Sequence, residues 1–132
     1  MKIFLSLIWL VAAALLAGCA SGPAVQREDT YRDHRRIHFE VDGRPCWLIL
    51  PEKAAPGRPW ILRPQFPETA PDADAKLVGL GYHVAYMNID EMYGSPQAMK
   101  HWDTFYATMV RTHRLSPERK VNLYYRPGIP GG

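Results

Sequence analysis

The chain has little of what a metal-binding or nucleic-acid-binding protein needs. It contains two cysteines and five histidines, with no Cys-x-x-Cys or His-Glu-x-x-His pattern. Those spacings are typical of zinc sites, so the sequence predicts neither a metal nor any other cofactor. Removing Lys2 with a leader would leave fifteen basic residues against thirteen acidic ones, a net charge of +2. An excess this small does not indicate a nucleic-acid partner.

The chain also lacks an apolar run long enough to cross a membrane. Its longest run, residues 3–17, has fifteen residues and follows Lys2. A spanning helix needs roughly 20 apolar residues, and a short run behind a positive residue is typical of a secretory signal. We therefore expect a signal peptide over residues 1–18. A short signal-anchor is the alternative.

The end of this run resembles the lipobox of bacterial lipoproteins. It reads Leu-Ala-Gly-Cys over residues 16–19, with the small residues that the signal peptidase requires. The resemblance implies that Cys19 is the mature N-terminus, carrying a thioether-linked diacylglycerol and a palmitate-type acyl chain. The expected partner is membrane lipid. Because Ala20 rather than aspartate follows, the resemblance implies the outer membrane, facing the periplasm.

An acylated Cys19 would leave Cys46 without a disulfide partner, so Cys46 is expected to be a buried, small hydrophobic residue. Residues 19–34 are polar and aperiodic, and they predict a flexible tether before a single domain over 35–132. The basic stretch "RDHRR", residues 32–36, is either a solvated part of this tether or a site for lipid headgroups.

Alternation and turn residues predict five strands. Ile37, Phe39 and Val41 alternate with polar residues, and Asp42-Gly43 is a hairpin turn signal. The predicted strands cover residues 37–41, 46–50, 59–63, 82–89 and 120–125.

Two helices are predicted between the later strands. In the first, residues 71–80, Ala73, Leu77 and Leu80 form the expected apolar face. The second, residues 96–114, has a broader apolar face made of Ala98, Met99, Trp102, Phe105, Tyr106, Met109 and Val110. A hairpin followed by β-α-β-α-β predicts an α/β fold with a mostly parallel sheet.

Several stretches are similar to bacterial esterase-like members of the α/β-hydrolase family. They are "RPWILRPQF", "LGYHVAYMNIDEMYGSPQAM", "HWDTFYATM" and "HRLSPERKVNL". The resemblance implies an incomplete sheet of that family, lacking its later strands. It also implies that the last predicted strand leads into a Gly-x-Ser-x-Gly elbow.

The expected elbow carries no nucleophile, because the matching positions read "YYRPGIPGG". The chain has four serines, at positions 6, 21, 95 and 116. No catalytic residue is therefore predicted. The resemblance implies that the backbone at Gln65 or Phe66 supplies an oxyanion donor, although a proline-stiffened surface loop is the alternative. Tyr93 is expected at the mouth of a pocket.

These patterns predict a truncated or frameshifted α/β-hydrolase-like lipoprotein, inactive as written, whose parent is a serine ester or acyl hydrolase. The alternative is a small membrane-anchored lipoprotein with a binding or scaffolding role. An uncovered last strand, residues 121–125, would also favour self-association.

Overall fold

The computed structural model describes residues 22–65, 67–118 and 120–121. These residues form one sheet of six strands, flanked by two helices, with the strand order β1-β2-β3-β5-β4-β6. The elements are β1 (Arg27–Tyr31), β2 (His34–Val41), β3 (Arg44–Leu50), β4 (Trp60–Arg63), α1 (Pro71–Gly79), β5 (His83–Met87), α2 (Pro96–Arg111) and β6 (Lys120–Val121).

The predicted hairpin is confirmed. Val41 pairs with Arg44, and the two residues between them have left-handed backbones, with φ of 51° at Asp42 and 71° at Gly43. Two consecutive residues with positive φ define the turn whose twist matches that of antiparallel strands. Local turn chemistry therefore sets the register of β2 against β3.

The predicted mostly parallel sheet is wrong. Among the described residues, three of the five strand pairings are antiparallel, namely β1 with β2, β2 with β3, and β3 with β5. Only β4 pairs in parallel, with β5 on one side and β6 on the other. The alternation of strands and helices correctly suggested parallel neighbours for β4. It carried no information on β3, which joins β5 although the 32 residues at positions 51–82 lie between the two strands, and this pairing makes the sheet mixed.

The predicted tether is also wrong over residues 27–31, which form β1. This strand reads "REDTY" and lacks the alternation of a half-buried strand. It is held on β2 by charge pairing, because Arg35 contacts Glu28 at 2.6 Å and Arg36 contacts Asp29 at 2.8 Å. Opposite charges on adjacent strands stabilise the pairing without an apolar signal in the sequence.

The core on one face of the sheet is formed by α2. Ser95 caps this helix, since its Oγ accepts the Ala98 N–H at 3.2 Å, and Pro96 follows at the first helical position. Trp102, Phe105 and Met109 are buried against β2, β3, β4 and β5. The predicted apolar face is therefore confirmed at its centre, although Met99 at its margin is 49% exposed.

The other face is covered by α1, but not by the side that the sequence predicts. Val78 is buried with residues of β1, β3 and β5, and Asp74 one turn earlier is also buried. Leu80, which we expected on the apolar face, is 69% exposed. The helix is rotated because Asp74 has a buried cationic partner on β4.

Candidate functional site

The two helices lie on opposite faces of the sheet, and this topology predicts a ligand crevice beside the carboxyl end of β4. The chain leaves β4 through α1 to reach β5, and it returns through α2 to reach β6 on the other side of β4. In open sheets, ligands bind outside the carboxyl ends of the strands where the connections diverge in this way. The loop after β4, residues 64–70, therefore forms one wall of the candidate site.

A buried ion pair closes this loop. The Arg63 guanidinium, at the end of β4, donates from Nη2 to Asp74 Oδ1 at 2.8 Å and from Nε to Oδ2 at 3.0 Å. Its Nη1 donates to Thr69 Oγ1 at 3.3 Å. Tyr31 donates its hydroxyl to Asp74 Oδ2 at 3.4 Å, and burial together with this carboxylate raises the pKa of Tyr31 to about 12.

A second arginine holds the loop from the sheet side. Arg36 donates from Nε and Nη2 to Asp29, both at 2.8 Å, and from Nη1 to Glu68 Oε1 at 2.6 Å. Its guanidinium lies over the rings of Tyr31 and Trp47, at 5.0 and 5.8 Å from their centroids. The Arg36 hydrogen bonds hold the pKa of Asp29 far below its usual range, with His38 contributing. Glu68 itself has a left-handed backbone, with φ of 69°.

One of the two predicted oxyanion residues lies in the described part of this loop. Gln65 is exposed and directly follows the Arg63-Pro64 end of the strand, whereas Phe66 lies outside the described residues. A loop fixed at both ends can present backbone N–H groups without reorganising, which is the physical requirement for stabilising a developing anion. The participation of Gln65 and Phe66 stays a prediction, as does the alternative of a stiff surface loop.

The loop after β5, residues 88–95, lies at the same edge of the sheet. Tyr93 is 92% exposed and has a left-handed backbone, with φ of 47°. Non-glycine residues in this conformation carry strain that is often found at functional sites. The exposure of Tyr93 places its ring in solvent at the edge of the crevice, and its role at a pocket mouth stays a prediction.

A depression beside α2 contains a serine, a histidine and an aspartate, but their geometry does not fit a catalytic triad. His101 Nδ1 lies 3.3 Å from Asp42 Oδ2, and Ser95 lines the same depression. The Ser95 hydroxyl is engaged in capping α2. Ser95 and His101 are six positions apart along the helix, about 9 Å along the axis, whereas a nucleophile and its base must approach to about 3 Å.

Two other histidines lie toward the opposite edge of the sheet, where His83 is buried and His113 is half-buried. His83 begins β5, and its Nδ1 lies 3.3 Å from the Pro59 carbonyl oxygen. Burial lowers the pKa of His83 to about 4, and it also lowers the pKa of His113, whose ring lies 5.2 Å from Phe39. Both lowered pKa values favour the neutral imidazole at pH 7.

The expectation for Cys46 is confirmed. Its side chain is buried in β3, and its Sγ–H donates to the Arg44 carbonyl at 3.3 Å. Burial raises the pKa of the thiol to about 12, so the reactive thiolate is scarce at neutral pH. Cys19, the predicted lipidation site, lies outside the described residues.

We did not predict the hydrogen-bonded contacts of Arg36 and Arg63 from the sequence. For Arg63, however, the sequence does contain a signal. Arg63 ends the otherwise apolar strand "WILR", and Asp74 lies four residues before Val78 on one side of α1. A charge at a core position of a strand and another at a core position of the next helix require a buried partner.

Across the described ranges, no group of three or more histidine, cysteine, aspartate or glutamate residues could hold a metal ion. In the same part of the chain, no helix is both long and apolar enough to cross a membrane. Comparisons with known protein families, curated proteins and solved structures find no match to this chain.

Proposed function

We propose that the chain is a lipid-anchored protein of the bacterial cell envelope, related to serine ester and acyl hydrolases, that does not itself hydrolyse esters. The anchor is Cys19 in the lipobox-like sequence, and the relationship rests on the esterase-like stretches. The proposed lack of activity rests on the hydrogen bonding and the position of Ser95. Of the two serines in the described part of the chain, Ser95 is the one in the loop after β5, yet its hydroxyl caps a helix and stands about two helical turns from His101.

A serine-directed fluorophosphonate probe tests this proposal on the full chain. We expect no labelling, because attack on the probe needs a hydroxyl activated by an adjacent base. Ser95→Ala and Ser116→Ala are the matched variants. Labelling that disappears in Ser95→Ala but persists in Ser116→Ala would overturn the proposal.

The anchor and the relationship each have a separate test. Mass spectrometry of the N-terminal peptide of membrane-extracted protein should show diacylglycerol and acyl additions on Cys19, and an unmodified Cys19 contradicts the anchor. The hydrolase relationship predicts a Gly-x-Ser-x-Gly-like stretch in another reading frame of the DNA that encodes the region after residue 120. Its absence would favour the unrelated alternative, a binding or scaffolding lipoprotein.

The depression beside α2 is the observation that favours such a binding role. Its lining combines the Asp42–His101 pair with Lys100 and Ser95, next to the exposed loop that bears Tyr93. Loss of a co-purifying partner in a Lys100→Glu variant would support binding, and retention of every partner would count against this face.

A further inference from the structure

The chain next to the predicted anchor lies close to the end of α2. A Cβ atom added to Gly22 would lie 1.9 Å from Cγ2 of Thr112, so a larger residue would require the Thr112 side chain to shift. Cys19 precedes Gly22 by three residues, which span at most about 11 Å when fully extended. A lipid on Cys19 therefore brings the end of α2 to the membrane surface.

Three exposed arginines surround this end of α2, and we refer to Arg58, Arg111 and Arg114 as the α2-end cluster. Arg58 donates from Nε to the Arg114 carbonyl at 3.1 Å and from Nη2 to the His113 carbonyl at 3.3 Å. These bonds join the loop before β4 to the segment after α2. Within the described part of the chain, no carboxylate forms an ion pair with any of the three arginines.

The basic stretch "RDHRR", residues 32–36, follows the predicted anchor in sequence, but its arginines form ion pairs within the fold. Arg32 pairs with Asp72, Arg35 with Glu28, and Arg36 with both Asp29 and Glu68. These ion pairs neutralise the "RDHRR" arginines within the fold. The α2-end cluster, whose arginines form no ion pair in the described part of the chain, thus comes from segments that are far from the anchor in sequence.

The opposite end of α2 has the opposite charge. Asp90 and Glu91 are exposed in the loop before the helix. The helix has 16 residues and is about 24 Å long, with these carboxylates before its first turn and the α2-end cluster at its other end. Exposed carboxylates therefore precede α2, whereas the α2-end cluster lies at the end of α2 that is near the predicted anchor.

We propose that the α2-end cluster binds anionic phospholipid headgroups and orients the domain with the C-terminal end of α2 on the membrane; this rests on the lipid anchor proposed above. Guanidinium groups donate paired hydrogen bonds to phosphate. Attraction to an anionic surface acts within a Debye length, about 8 Å at physiological ionic strength, and the short linker holds the cluster near that range. The acidic end of α2 then faces away from the lipid.

Energy transfer to a headgroup-labelled lipid tests this orientation in the full chain reconstituted in vesicles. The fluorophore is attached at Pro56→Cys, two residues from Arg58, or at Tyr93→Cys, near the acidic end. We expect transfer from position 56 to exceed transfer from position 93 in vesicles containing phosphatidylglycerol. This excess should fall by at least about half in 1 M salt, where the Debye length is about 3 Å.

Charge variants connect the effect to the cluster. Arg111→Gln with Arg114→Gln should reduce the excess to the value measured in pure phosphatidylcholine. Arg32→Gln with Lys76→Gln removes the same charge from exposed positions outside the cluster and should leave the excess unchanged. Equal transfer from both positions, or an excess insensitive to both phosphatidylglycerol and the arginine variants, would overturn the inference.

The N-terminal mass separates this inference from the anchor itself. With Cys19 modified, equal transfer refutes the orientation and leaves the anchor intact. With Cys19 unmodified, the anchor fails, while the transfer measurement still decides whether the α2-end cluster contacts anionic lipid.

Discussion

The guanidinium of Arg63 and the carboxylate of Asp74 form an ion pair in which both side chains are almost completely buried, with 2.8 Å between Nη2 and Oδ1. The pair joins the last residue of β4 to the first turns of α1 and closes the loop at the crevice. Burying two charges is costly, and only their mutual contacts and further hydrogen bonds offset that cost. The pair therefore determines both the rotation of α1 and the position of residues 64–70.

Asp74→Asn should lower the free energy of unfolding by about 3 to 5 kcal/mol, because it leaves the Arg63 charge buried without a counter-charge. Chemical denaturation followed by tryptophan fluorescence measures the change. Asp72→Asn is the matched control on the same helix. Asp72 is 87% exposed in its pair with Arg32, so this change should cost less than about 1 kcal/mol. Similar losses in both variants would show that the buried pair has no special role.

Acid should destabilise the protein through His83. The pKa of this group is about 4 in the fold and near 6.5 in the unfolded chain, so the unfolded state binds more protons between these values. The free energy of unfolding should be highest above pH 6.5 and fall as the pH drops toward 4, by roughly 3 kcal/mol.

Denaturation at several pH values checks this slope. His83→Asn keeps a donor near the Pro59 carbonyl and cannot titrate, so its slope between pH 6.5 and 4 should be shallower. His34→Gln controls for the loss of a histidine elsewhere. An unchanged slope in His83→Asn would assign the acid sensitivity to other groups.

Cys46 should react with a thiol reagent only after unfolding. Its burial and raised pKa reduce the thiolate population at pH 8, so modification should be at least about 100-fold slower in the native protein than in denaturant. The number of free thiols in the denatured protein, counted with a thiol reagent that releases a dye, also tests the proposed anchor on Cys19. Denatured protein with a thioether on Cys19 should release one equivalent of dye, and two equivalents would contradict the modification.

Two glycines at the end of α1 should respond in opposite directions to alanine. Gly79 has free space around its Cα, so Gly79→Ala should stabilise the protein by about 0.5 to 1 kcal/mol through helix propensity. Gly81 has φ of 93°, and an added Cβ would lie 2.5 Å from the Ala55 backbone nitrogen. Gly81→Ala should therefore destabilise by at least about 1 to 2 kcal/mol. Thermal unfolding measures both, and a stabilising Gly81→Ala would contradict the described packing.

Local patterns predicted some elements well and others not at all. The α2 helix carries its own cap, its own apolar face and a proline at its start, so neighbouring residues were sufficient to predict it. The Asp42-Gly43 turn is similar. In contrast, β1 has no apolar alternation, and its stability depends on Glu28 and Asp29 meeting arginines of β2.

The candidate site was predicted in outline only. The resemblance predicts a role for the loop after β4, but it did not predict the hydrogen bonds that hold residues on either side of Gln65. Those bonds come from Arg36 and Arg63, whose partners are up to 32 residues away in sequence. No periodicity or motif encodes such a pairing, because it forms only once the sheet brings the segments together.

The sequence alone determined the elements whose stabilising contacts lie within one turn or one hairpin, because cap, turn and periodicity act between neighbouring residues. The tertiary structure decided that β3 pairs with β5 and that α1 turns Asp74 inward. It also decided that the three arginines of the α2-end cluster lie at the end of α2 that is near Gly22. Each of these depends on burial and charge pairing between distant segments, where the free energy of a residue is set by its partner in space.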